Sequence, residues 1–159
     1  MRKIDSLLQE YDLSHQNPTN KSIHWLCVPA IYFSLVGLLY SIPPGPLREM
    51  EFLLSHFANW ATPALLLVWI YYLALSPPLA LGMMLFTALC LAVASVFTLI
   101  LPFPLWGFCL GLFVLAWIFQ FYGHKMEGKK PSFLKDLQFL LIGPAWLMHF
   151  IYKRLGLAY

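Results

Sequence analysis

FPLWGFCLGLFVLAWIFQFY, residues 103–122, runs for twenty residues without a charged side chain and then turns abruptly polar in GHKMEGKK, residues 123–130. About twenty mainly apolar residues are what a helix needs to cross the hydrocarbon core of a bilayer. Three further windows meet that length: 23–42, 57–76 and 79–100. Proline-rich breaks separate them, at Pro43-Pro44-Gly45-Pro46, Pro77-Pro78 and Pro102-Phe103-Pro104. Proline lacks an amide proton and pushes its predecessor out of helix, so these are natural ends. The last two connections are short and predict antiparallel neighbours. Trp25, Trp60, Trp106 and Tyr122 stand near span ends as interface anchors. Gly107 and Gly111 form a pair of small residues suited to helix packing.

The whole chain agrees with that reading. Its 159 residues are 60% hydrophobic and 11% charged, with a mean hydropathy of +0.71, whereas soluble domains carry about 25% charged residues. One domain, residues 1–159, is the natural count. A net charge of +3, spread along the chain, argues against a nucleic-acid surface. Cys27, Cys90 and Cys109 lie singly in apolar stretches and read as packing residues, without a disulfide framework or a thiolate metal site. The N-terminal run MRKIDSLLQE has no apolar core of a signal peptide, so no cleavage is expected there.

Lysine and arginine orient the spans. Four crossings place Arg2, Lys3, Lys21, Lys125, Lys129, Lys130, Lys135, Lys153 and Arg154 on one side and Arg48 on the other. Nine against one predicts both termini in the cytoplasm. Lys129-Lys130 reads as part of that topology signal, and His56, in the outer loop, as solvated. The segment 132–152 is long enough to cross, but Lys135 and Asp136 interrupt it early and Gly143-Pro144 sits in its middle. It reads as a bent helix lying at the interface or re-entering the same face. The expected fold is all-α and integral to the membrane: a four-helix transmembrane bundle with a short N-terminal helix and this C-terminal helix.

Four of the five histidines crowd the ends of the hydrophobic segments: His15, His24, His124 and His149. Ionisable groups at such boundaries usually have a function, and neutral imidazole is the commonest metal ligand. In HQNPTNKSIH, residues 15–24, Asn20 and His24 are four apart and share a helix face. His15 would point away from His24 on one continuous helix, but Asn17-Pro18 breaks it, with Pro18 in the first turn of the next. In QFYGHKME, residues 120–127, Gln120 and His124 repeat the spacing of four and Glu127 follows one turn later. Each arm supplies imidazole with an amide or carboxylate to orient it. Imidazole ligation suits iron, zinc, copper or nickel alike. A catalytic ion with an open position fits better than structural zinc, since no cysteine is near. Glu127 suits a ligand, a general base or the partner of a histidine. Lys21, Lys125 and Lys129 give this rim a positive field for an anionic head group.

These two runs resemble the signature of the 2-hydroxy fatty acid dioxygenase family, an integral-membrane family of fatty-acid α-oxidation. The resemblance rests on His15 to His24 followed by Val28-Pro29, and on Gln120 to Pro131 followed by Gly143-Pro144. The middle, Pro43 to Leu115, matches only in being hydrophobic. The resemblance implies an Fe(II)-dependent enzyme that uses O2 to shorten a long-chain 2-hydroxy fatty acid by one carbon, at the bacterial inner membrane or the endoplasmic reticulum. It implies His15, His24, His124 and His149 as metal ligands, Asn20, Gln120 and Glu127 as catalytic residues supporting them, and Lys21 or Lys125 as contacts for the substrate carboxylate. Lipid desaturases of the di-iron type need about eight ligands for two metals, more than five histidines provide. A haem bundle with two axial histidines and a non-catalytic membrane scaffold or transport subunit are the other readings. Labelling of cysteines introduced at the two ends should find both termini on one membrane face; opposite faces would remove His149 from any site shared with His15.

Overall fold

The computed structural model describes residues 2–50, 58–128 and 133–158, with side chains at all of these except 48–50 and 133–138. The expectations for His56, Lys129-Lys130, Lys135 and Asp136 lie outside what is described. Six α-helices and a 3-10 turn at Gly45–Met50 make up the described chain, with no strand among the described residues. The helices are α1 (Lys3–Leu13), α2 (Pro18–Tyr40), α3 (Ala61–Leu75), α4 (Pro77–Ile100), α5 (Leu105–Glu127) and α6 (Phe133–Arg154).

Three of them, α2, α4 and α5, are long and apolar enough to cross a membrane. The expected second span, 57–76, is instead the 15-residue α3. At about 1.5 Å per residue it rises roughly 22 Å, short of the ~30 Å hydrocarbon core. Local chemistry sets its ends sooner than hydropathy does. The Asn59 carboxamide accepts the Thr62 amide at 3.3 Å before the first turn, and Ser76 is extended (φ −165°, ψ 112°) ahead of Pro77. Among the described residues the fold is therefore all-α, with three helices both long and apolar enough to cross and a shorter apolar fourth, which corrects the expectation of four full-length spans.

Helices α2 and α5 pack antiparallel along their length. Near one end Gly123 of α5 faces Asn20 of α2, and near the other Gly37 of α2 faces Cys109 of α5. At both glycines a Cβ would collide with the facing side chain, so the helices approach as closely as backbone allows. At the Gly107–Gly111 pair, read as a packing motif, an added Cβ would meet nothing within 4 Å among the described residues. Leu66, Leu67, Leu85, Leu89, Leu99 and Ile118 are exposed along α3, α4 and α5, as expected of helices whose outer surface is apolar.

Helices α1 and α6 lie over the end of the bundle where α2 begins. Helix α1 buries Ile4, Leu7, Leu8 and Tyr11, a spacing of three and four that defines one face. Helix α6 continues through Gly143-Pro144 as a single helix. Helix α6 is tied to α3 by the Tyr72 hydroxyl, which donates to the Leu141 carbonyl at 2.6 Å. The Tyr152 hydroxyl donates to the Pro78 carbonyl at the start of α4 at 2.7 Å, and Arg154 stands 5.7 Å from the Trp25 ring at the start of α2. Gly37→Ala should therefore push on Cys109 and destabilise the protein by about 1–3 kcal/mol. Adding Cys109→Ala should restore much of the loss, as read by thermal unfolding in detergent; no relief in the double variant would refute the contact.

Candidate metal centre

Three segments deliver one histidine each. Asn17 caps α2, its side chain accepting the amides of Thr19 (2.9 Å) and Asn20 (3.3 Å), and Pro18 takes the first helical position, where a missing N–H costs nothing. The chain turns between α1 and α2, and His15 sits in that turn with its amide on the Asp12 carbonyl at 2.9 Å. His24 follows on the second turn of α2, and His124 lies in the last turn of α5. Ring centroids are 4.1 Å apart for His15–His24, 5.0 Å for His24–His124 and 5.3 Å for His15–His124. One ligand atom from each lies within 4.8 Å of the other two.

The rings are held by their inner nitrogens. His15 Nδ1 is 2.7 Å from the Tyr11 carbonyl and His24 Nδ1 is 2.9 Å from the Asn20 carbonyl. A carbonyl only accepts, so in each neutral ring the proton is on Nδ1 and the lone pair on Nε2. His15 and His24 are each 1% exposed. Burial holds the His15 imidazole far below its ordinary range, down to about 4, with the Tyr11 carbonyl pulling weakly upward. It is thus neutral near pH 7 and able to ligate. His15 Nε2 is buried without a hydrogen-bond partner among the described residues, a costly state unless something else occupies that lone pair. The donor set fits a metal ion with imidazole preference.

Glu127 closes the site from α5. Its carboxylate accepts the Gln16 amide at 2.8 Å, the Asn17 amide at 3.0 Å and the Asn20 side-chain amide at 3.0 Å. It thus ties the His124 helix to the segment carrying His15 and His24. Asn20 is fully buried against Gly123, and Gln120 is buried one turn before His124. Lys21 is 3.6 Å from Asp12 Oδ1, and Lys125 is exposed. His149 is not among the three convergent histidines; its ring meets Phe150 edge-on at 5.2 Å.

Two further neighbours escaped the sequence reading. The Tyr11 ring stacks on His15 at 4.2 Å and 14°; its place four residues before His15 was a usable signal. Trp146 of α6 lies 5.6 Å from His15 and 5.3 Å from Tyr11, and only tertiary contact reveals it. Hydrogen bonds to a charged group contribute about 1.5–3 kcal/mol. Glu127→Ala should accordingly lower the thermal midpoint by several degrees, and Asn20→Ala by less, because it removes a single donor to that carboxylate. Unchanged unfolding of Glu127→Ala would show that the tie carries no weight.

A profile of the Mpo1-like family, described as 2-hydroxy-palmitic acid dioxygenase Mpo1-like, matches residues 1–155. The 2-hydroxy-palmitic acid dioxygenase MPO1 of Saccharomyces cerevisiae is 31% identical over 161 residues, covering 94% of this chain and 80% of the yeast protein. No solved structure matches. With its histidine motifs at both ends and a match over nearly its whole length, this chain belongs to the Mpo1-like family.

Proposed function

We propose that this protein is an Fe(II)-dependent dioxygenase that uses O2 to shorten long-chain 2-hydroxy fatty acids by one carbon. The observation that carries the reading is the convergence of His15, His24 and His124, with one buried Nε2 left without a protein partner, in a member of a family described by this reaction. Carbon and oxygen balance when a 2-hydroxy acid and O2 give the acid one carbon shorter, CO2 and water. Iron held by the three imidazoles would supply the redox and oxygen chemistry that side chains lack. Three convergent imidazoles suit a single ion better than the two metals of a desaturase-type site or the two axial positions of a haem.

The chain's own groups do the rest. Tyr11 and Asn20 carbonyls hold the His15 and His24 lone pairs outward. Glu127, Asn20 and Gln120 keep the three segments in register around the reacting centre. Lys125 and Lys21 offer positive charge for a carboxylate, with Lys21 shared with Asp12. The acyl chain has apolar surroundings on every side but this rim. A cavity of about 340 Å³, lined in part by Tyr32, Thr62, Trp69, Tyr72, Met83 and Leu91, is one apolar volume within the bundle. We place the site at the cytoplasmic face of the host membrane, inner membrane or endoplasmic reticulum according to source, because four crossings, with the shorter α3 as one of them, would put nine of ten basic residues on that side. Long-chain substrate then need not leave the bilayer.

Metal analysis of detergent-purified protein tests the reading. Wild type should carry near-stoichiometric iron and convert 2-hydroxypalmitate to the acid one carbon shorter with release of CO2. His15→Ala, His24→Ala and His124→Ala should each lose the iron while keeping helical content. His149→Ala should retain it, and loss there would add His149 to the ligand set. A folded wild type that takes up no metal after anaerobic Fe(II) loading would overturn the proposal.

A further inference from the structure

Trp146 is 1% exposed and ranks among the largest fully buried side chains. Its indole N–H, the one polar group it owns, donates to Asp12 Oδ1 at 3.3 Å. Buried tryptophan commonly finds such a partner, but this partner stands at a particular place. Asp12 is in the last turn of α1, and its carbonyl accepts both the His15 amide at 2.9 Å and the Gln16 side-chain amide at 2.7 Å. The Gln16 side chain also donates to Asp12 Oδ2 at 3.1 Å, and Lys21 of α2 lies 3.6 Å from Oδ1. Asp12 therefore joins α1, the His15 turn and α2, and Trp146 is the group by which α6 takes hold of that joint.

The ring acts as well as its N–H. Trp146 lies tilted at 5.3 Å from Tyr11 and 5.6 Å from His15, while Tyr11 stacks flat on His15. The His15 ring is thus flanked by two aromatic side chains from different helices and pinned at Nδ1. The α6 backbone sits against the same wall: at Gly143 a Cβ would lie 3.0 Å from the Tyr11 hydroxyl and 3.3 Å from Val28 Cγ1, so a side chain there would press on both.

We propose that Trp146 is a positioning residue for the metal centre, setting the direction of the His15 Nε2 lone pair through Asp12 and the Tyr11 ring. This rests on His15 being a ligand, and it gives α6 a role in the site that needs no ligand from α6. Partners that orient a ligating histidine typically change metal affinity by 10–100-fold when removed. Trp146→Phe keeps an aromatic ring and loses the N–H.

Cobalt(II) binding to the detergent-purified full chain, followed by its visible ligand-field bands, provides a readout independent of turnover. Trp146→Phe should bind Co(II) about tenfold more weakly, with shifted bands and nearly wild-type helical content. Should that variant misfold, Asp12 carries the test: Asp12→Leu removes the acceptor and should weaken binding similarly, whereas Asp12→Asn keeps an acceptor and should recover most of it. Wild-type affinity and spectrum in Trp146→Phe, or equal behaviour of the two Asp12 variants, would overturn the inference and leave the metal site standing. A wild type that binds no Co(II) would bring down both.

Discussion

The Glu127 carboxylate holds together the two parts of the chain that matter. It lies 107 to 111 residues from its partners in sequence and accepts two backbone amides and a side-chain amide from Gln16, Asn17 and Asn20. In an apolar protein, an amide left without an acceptor is costly, and a segment broken by Asn17-Pro18 has amides that no helix can satisfy. One carboxylate from α5 answers that need. In doing so it brings the start of α2 against the end of α5, and with them His24 against His124.

The remainder of the site follows from that junction. Helices that leave it antiparallel approach along glycines, Gly123 at the Asn20 end and Gly37 at the Cys109 end. The turn before α2 leaves His15 above the junction, and α1 folds back to place Tyr11 flat on its ring. Helix α6 then covers both, with Trp146 set against the Tyr11 and His15 rings together. His15 and His24 each give the inner nitrogen to a carbonyl of their own chain segment. The three rings can therefore converge without the mutual repulsion that protonated imidazoles would suffer, and burial keeps His15 neutral.

Much of this was legible in residue order. Asn17-Pro18 announces a helix start, and the structure places the cap and the first helical residue at those positions. The spacing of four between Asn20 and His24 correctly places both on one face. The family was visible in the same two motifs. Span counting fared less well, because hydropathy windows weigh residues and ignore the Asn59 and Ser76-Pro77 chemistry that trims α3 to 15 residues. Gly143-Pro144 was read as a bend within the last segment, and the structure shows one helix running through it. The Gly107–Gly111 spacing suggested a packing face, yet a Cβ at either position would meet nothing within 4 Å among the described residues.

Residue order by itself determined that the chain is all-helical, very apolar and histidine-bearing at the ends of its hydrophobic segments. Those properties depend on local composition and on spacing within a turn or two, which a linear string records. The tertiary structure alone decided which histidines meet, that Glu127 serves as a tie between α5 and the α1–α2 turn, and that Trp146 backs His15 from the far end of the chain. Apart from His15 with His24, these are contacts across a hundred residues or more. Their physical cause is the matching of orphaned donors with distant acceptors and of glycines with facing side chains, and neither is expressed until the helices pack.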